Sequence, residues 1–301
     1  MVKRILIAIA FVICWSSGFV GSLLAGESAS PAGLLAWRYL ATAALLGVVV
    51  AGLRAAGGAA QLLVPQLTRT DVAHQIVIGV LSHVIFLGAV FSASDAGIDP
   101  GITSLVCALQ PLIVAAVSAR LWGDAFNGRM AAGLGLGLVA VGLAAGAIDF
   151  SKTALLGLLL PPVALLGLSA SALLERVWNP RASIVQALAI QTATGAVVFT
   201  AVASLTGQME VSVNADFVWA MIWLVFLSGI GGYAAYTACL RVIGPTNTSV
   251  LLFLTPPVTS LWTWLMFGHS VGVGQMFGML LGLLAVVLTV SGQRKPKRSA
   301  T

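Results

Sequence analysis

Hydrophobic positions along this chain come in long unbroken runs and do not alternate with polar ones. Ten runs approach or exceed the ~20 residues that a helix needs to cross a bilayer. They are 4–25, 32–54, 72–94, 100–121, 128–147, 153–174, 183–205, 217–240, 247–267 and 273–291. Alternation would predict barrel strands, whereas continuous runs predict helices. The expected fold is an all-α integral membrane protein with ten transmembrane helices. The first run opens like a secretory leader, MVKRILIAIAFVICWSS. Its apolar stretch continues to Ala25, long enough to span, so it is read as an uncleaved first helix.

Composition points the same way. Of 301 residues, 59% are hydrophobic and 8% charged, where soluble domains carry about 25% charged residues. That leaves too little polar surface to cover a soluble globule of this size. Cys14, Cys107 and Cys239 all lie inside apolar runs, which predicts packing residues without disulfides.

The net charge of +6 does not predict a nucleic-acid partner, because the basic residues sit in short loops and in a tail. With the N-terminus inside, the inner segments hold Lys3, Arg4, Arg54, Arg69, Arg120, Arg129, Arg176, Arg181 and Arg241. The tail, 293–301, adds Arg294, Lys295, Lys297 and Arg298. The outer loops hold only Lys152, and Arg38 falls within the second run. This bias predicts cytoplasmic termini and a multi-pass protein of the cell (inner) membrane, with the lipid bilayer as partner.

The chain also matches itself at an offset of 145 residues. Pro100 falls on Pro245, Thr103 on Thr248, Ser104 on Ser249, Leu109 on Leu254 and Pro111 on Pro256. Gly123, Gly133 and Gly137 fall on Gly268, Gly278 and Gly282. Runs three to five thus repeat as runs eight to ten. Each half has five runs, an odd number, so the second copy is expected upside down. Residues 1–147 form the first repeat and 148–292 the second. Inverted repeats are the architecture of many secondary transporters, with a substrate site near the midplane lined by interrupted helices. Pro111, Pro256 and Pro257 fit that picture as paired kinks around a cavity. The other reading is packing kinks, since proline is common in membrane helices.

Several polar or aromatic residues fall near mid-depth: Trp15, Ser16, Ser17, Gln110, Gln191, Tyr233, Tyr236, Thr255 and Trp262. Few oriented polar groups in mostly apolar walls are what a small-molecule cavity needs. Arg38 lies about 9 Å into the second run at 1.5 Å per residue. It is either a cavity cation for a substrate carboxylate or phosphate, or a structural Arg paired with Glu27, Asp95 or Asp99. His83 lies near the middle of the third run. It either couples protons or is a neutral His bonded to another helix. Glu175 beside Arg176 reads as a solvated pair or as a gate contact. Gly133, Gly137, Gly142 and Gly146, with Gly274, Gly278 and Gly282, allow close helix approach in runs five and ten. That approach is either within the chain or across a homodimer.

WSSGFVGSLLA, SPAGLLAWRYLATAALL, GITSLVCALQPLIVAAVSARLWGD and LRVIGPTNTSVLLFLTPPVTSLWTWLMFG resemble the EamA-like branch of the drug/metabolite transporter superfamily. The resemblance covers nearly the whole chain. It implies a ten-helix carrier, such as those exporting amino acids or other small metabolites, with a cavity built mainly from spans one to four and six to nine. Where the family usually has Glu shortly after the fourth and ninth spans, this chain has Asp124 and His269.

The expected function is therefore an exporter of small metabolites working by alternating access. The alternative is a proton-coupled exporter of lipophilic cations, weakened because no run carries an acid at mid-depth. Enzymatic chemistry is not expected. Asp95 and Asp99 lack the further ligands a metal site needs, and neither a metal nor another cofactor is implied.

Overall fold

The computed structural model describes residues 2–58, 63–122, 128–145, 155–242 and 251–292. Pro245, Thr248, Ser249, Asp124, Lys152 and the basic tail lie outside the described residues, as do the side chains of Glu27 and Arg241. Among the described residues the protein is all-helical, with no strand. Helix occupies each of the ten apolar runs, and the helices are numbered here after those runs. Six of them are long and apolar enough to cross a membrane by length and composition: helices 2, 3, 4, 6, 7 and 8.

Local chemistry sets where these helices begin. Helix 2, Pro31–Ala56, starts with proline at a position whose N–H would be unpaired anyway, and Ser30 caps it by accepting from Gly33 N. Helix 3 starts at Arg69 with a reciprocal capping box between Thr68 and Asp71. Helix 7, Ile184–Leu205, has the same device in Ser183 and Gln186. Asp99 caps helix 4 at Gly101 N, and Asn214 caps helix 8 at Phe217 N.

The packing is symmetric under exchange of the halves. Helix 2 lies along helix 7, helix 5 along helix 10 and helix 4 against helix 9. Helix 1 lies along helix 8, and helix 6 along helix 3. Adding five to each helix number returns the same set of pairs, as an approximate two-fold axis requires. Glycines serve these contacts within the chain. Between helices 5 and 10, a Cβ at Gly137 would stand 3.9 Å from Ala285 Cβ and one at Gly282 3.9 Å from Ala140 Cβ, while both would press on leucines of helix 4, Leu109 and Leu105.

Four interruptions come in register across the repeat. Helix 3 runs Arg69–Gly79, passes through a π-helical turn at Val80–Ile85, and continues as Phe86–Asp95. Helix 8 does the same, with its π-helical turn at Trp223–Gly231. Helix 4 ends at Cys107 and restarts at Gln110. Helix 9 passes through a 3-10 turn, Leu252–Leu254, and restarts at Thr255. The prolines accordingly stand in the first turn of a new helix and not inside a continuous one. Pro111 follows Gln110, and Pro256 and Pro257 follow Thr255, where a missing N–H removes no intrahelical bond.

Helix 1 breaks alone. It runs Val2–Ser16 and resumes at Gly21–Leu24, while the corresponding part of helix 6 lies within the continuous Leu160–Trp178.

Candidate functional site

The interruptions meet around a cavity of about 460 Å³. Its walls come from both repeats: Ile78 and Ser82 on helix 3, Gln110 on helix 4, Leu168, Ser171, Ala172 and Glu175 on helix 6, Leu188 and Gln191 on helix 7. Trp15, Tyr233, Tyr236 and Leu252 complete it. Leu168, Ser171, Ala172 and Glu175 follow helical spacing, so one stripe of helix 6 faces the space. Seven residues separate Leu168 from Glu175, about 10 Å along the axis. Glu175 and Ile184 therefore mark one end of the cavity, the end bearing Arg176 and Arg181. Trp15 and Tyr233 mark the other.

Behind Gln191 lies a chain of buried polar side chains from helices 2, 3 and 7. Gln191 Nε2 donates to Gln75 Oε1 at 2.6 Å, which turns Gln191 Oε1 toward His83 Nε2 at 3.0 Å. His83 Nε2 must then be the donor, leaving Nδ1 to accept from the Tyr39 hydroxyl at 2.9 Å. This is the pattern of a neutral imidazole. The Tyr233 hydroxyl stands 3.2 Å from His83 Nε2, and the two rings stack at 5.3 Å. His83 is 1% exposed, so it supports the cavity wall from behind. His83 lies within the π-helical turn of helix 3, the kind of irregularity often found at functional sites. Gly79 lets helix 3 approach helix 7; a Cβ there would stand 2.9 Å from Gln191 Cα.

Arg38 occupies a second, smaller space of about 30 Å³, lined by Trp15, Gly18, Phe19, Phe86, Ser228 and Tyr233 among others. Only 3% of its surface is exposed, and its Nη1 is buried without a hydrogen-bond partner. The pairing anticipated with an outer acid is not found among the described residues. Asp99 instead accepts from Gly101 N and from Gln275 Nε2, both at 2.8 Å. The guanidinium carbon lies over the Tyr39 ring, 5.3 Å from its centroid.

Beyond Arg38 the bundle is packed shut by Phe19, Val20, Leu34, Leu35, Phe86, Phe91 and Leu224. Trp223 Nε1 donates to Ser17 O at 3.0 Å across this layer. At that end, Trp37 Nε1 donates to Met209 O at 3.2 Å, and Asn214 Nδ2 donates to Ser28 Oγ at 2.7 Å.

The residues singled out in the sequence are thus partly brought together. Trp15, Gln110, Gln191, Tyr233 and Tyr236 line the large cavity. Thr255 lines a further small pocket beside Trp15 and Gln110. Ser16, Ser17 and Trp262 line none of these three spaces. Ser16 and Ser17 bond to carbonyls of their own helix, and Trp262 packs on Trp223 with centroids 5.1 Å apart. Arg176 turns away from Glu175, with its guanidinium 4.6 Å from the Trp122 ring and Nη1 donating to Ser118 Oγ at 3.0 Å. Tyr39, Gln75 and Ser82 went unremarked in the sequence. Gln75 and Ser82 stand seven apart and Gln75 and His83 eight apart, the spacing of one helix face.

An all-helical membrane bundle in two repeats around an apolar-walled cavity has the build of a small-molecule carrier. The sequence profile of the EamA-like transporter family matches residues 2–146 and again 154–291. The chain belongs to that family, and is a membrane transporter. No curated protein matches it. Among 23 matching chains of solved structures is one titled "Crystal structure of protein". It is similar at a TM-score of 0.65 and 17% identity, over 98% of this chain and 99% of its own. At that identity the likeness concerns the fold alone.

Proposed function

We propose that this transporter is a secondary carrier that exports small metabolites, amino acids among them, by alternating access across the cell (inner) membrane. The reading includes ten spans, two halves of opposite orientation and cytoplasmic termini. The observation that carries it is the large cavity walled by both repeats, blind at Trp15, Gln110, Gln191 and Tyr233. Its volume suits a small ligand, within the range of about 300–1,000 Å³. The basic loops favour the orientation, and the exchange-symmetric helix pairing favours a two-fold between the halves.

In that orientation the cavity opens to the cytoplasm and the outer end is closed. Export then requires the reverse arrangement. The rings of Trp15 and Tyr233 part, and the Trp37–Met209 and Ser28–Asn214 contacts open, while the cytoplasmic ends of helices 6 and 7 close over Glu175. The test is counterflow in proteoliposomes with a panel of labelled neutral, aromatic, acidic and cationic metabolites. Exchange of zwitterionic or anionic members is expected, and a protein that exchanges nothing in either direction is not a carrier.

One observation favours the other reading, a proton-coupled exporter of lipophilic cations. Glu175 lines the cavity together with Tyr236 and makes no ion pair among the described residues. Exchange confined to lipophilic cations, abolished in Glu175→Gln, would replace the metabolite reading with this one.

A further inference from the structure

We propose that Arg38 anchors a carboxylate subsite, reached from the large cavity past Trp15 and Tyr233, so that the compound carried bears a carboxylate. This rests on the carrier reading and narrows its substrate. A guanidinium carries five donors and a charge that burial does not remove. Here it is 3% exposed, with Nη1 wholly buried and unpaired. No described residue accepts a hydrogen bond from it, and none forms an ion pair with it. A buried cation left so is strongly unfavourable unless an anion or water completes it. Two acids on the described helices do not serve. Asp99 is committed to Gly101 and Gln275, and Glu175 faces the other compartment.

The pocket itself is built for a small group. Its ~30 Å³ admits about two water-sized atoms, at roughly 10–15 Å³ each. That matches the two oxygens of a carboxylate, which the planar fork of Arg meets with parallel bonds. It does not match the four oxygens of a phosphate. Ser228 brings a hydroxyl to the same space, and Phe19, Phe86, Leu87 and Val90 give it an apolar wall. An apolar wall strengthens the pairing of opposite charges. Gly18 keeps the pocket open, because a Cβ there would stand 2.7 Å from Ser228 Oγ. The pocket and the large cavity share Trp15 and Tyr233, so these two side chains are what stands between a carboxylate at the blind end of the cavity and Arg38.

The test uses the purified full chain and pairs of probes: butyrate with butyramide, phenylacetate with phenylacetamide, leucine with leucinol, and inorganic phosphate. Thermal unfolding is followed as each probe is titrated. At least one acid should stabilise the parent at a concentration about tenfold below its uncharged or alcohol counterpart, the effect of one charge-assisted pairing. Arg38→Gln should erase that preference and Arg38→Lys keep part of it. Acids and counterparts that act alike in the parent overturn the subsite, and that comparison needs no variant to fold. So does a preference that survives in Arg38→Gln. Stabilisation by phosphate that disappears in Arg38→Gln overturns the carboxylate assignment. Counterflow on the same probes separates the two readings. Arg38-dependent binding without exchange removes the carrier and leaves the subsite; exchange without acid preference removes the subsite and leaves the carrier.

Discussion

Trp15 and Tyr233 meet edge to face with ring centroids 5.6 Å apart, and both border the large cavity as well as the Arg38 pocket. They come from helices 1 and 8, one from each repeat, so the partition lies where the halves meet. Trp15 also packs on Phe11 and Tyr236 at 5.7 and 5.5 Å. The break in helix 1 starts after Ser16, one residue past Trp15. Trp15→Ala should join the two spaces. The ratio of net leak to counterflow is then expected to rise about tenfold, equivalent to ~1.4 kcal/mol. Stability should fall by about 0.5–1.5 kcal/mol for each ring pairing that the substitution removes. A ratio equal to the parent's would show that the rings do not divide the path.

His83 holds helices 2, 7 and 8 together through Tyr39, Gln191 and Tyr233. Removing it strands buried partners, each at about 1–3 kcal/mol. His83→Leu should therefore lower stability by roughly 2–5 kcal/mol, and His83→Gln by less, as read by denaturant unfolding in detergent. Both ring nitrogens are used in the neutral pattern. Counterflow should then be flat between about pH 6 and 8, where an exposed His would titrate. A slope across that range, absent in His83→Gln, would instead assign His83 to proton movement.

Helix positions, register of the repeat and five of the cavity residues were legible in the sequence because lipid imposes one rule on every span: apolar outside, polar only where protein or cavity receives it. That rule places Gln110, Gln191 and Tyr233 without tertiary information. It does not say which way a polar residue faces within the bundle. Ser16 and Ser17 sit at cavity depth yet bond to their own helix carbonyls, an option open to any membrane serine. The π-helical turns at Val80–Ile85 and Trp223–Gly231 left no compositional trace, since they are made of the same residues as the helix around them. One of them carries His83, which stands behind the wall, whereas its depth alone suggested a place in it. Arg38 illustrates the opposite case. Its depth was legible, but that Asp99 is engaged by Gln275 of helix 10, and not by Arg38, is a tertiary fact.

Close approach of helices 3 and 7 gives a sharp contrast between two glycines. A Cβ at Gly79 would stand 2.9 Å from Gln191 Cα and 3.3 Å from its Cβ. Backbone cannot yield as a side-chain tip can, so Gly79→Ala should cost about 1–3 kcal/mol. The same shift would draw Gln191 from Gln75 and His83, so exchange should fall with stability. Gly47, on helix 2, has nothing within 4 Å of a built Cβ. Gly47→Ala should stabilise by about 0.5–1 kcal/mol through helix propensity alone. Thermal unfolding of the two variants side by side checks this; equal midpoints would mean that Gly79 is not a point of close approach between helices 3 and 7.

The prolines supply a last contrast between stability and transport. Pro256 is buried in the first turn of the second part of helix 9, and Pro111 stands at the matching place in helix 4. In a first turn the missing N–H carries little penalty, so neither substitution to Ala should lower stability by more than about 1 kcal/mol. What Ala restores is the chance to continue the helix backward through Leu252–Leu254 or Ala108–Leu109. Continuing it would swing Leu252, Gln110 and Thr255 out of the spaces around Trp15, which all three now line. The double variant Pro111→Ala/Pro256→Ala is therefore expected to unfold no lower than either single variant while its counterflow falls by at least about tenfold. Pro257→Ala is the comparison: it shares the first turn but points outward, and its counterflow should stay near that of the parent. Loss of transport in Pro257→Ala alone would place the effect in the helix backbone at large, away from the two breaks that face the cavity.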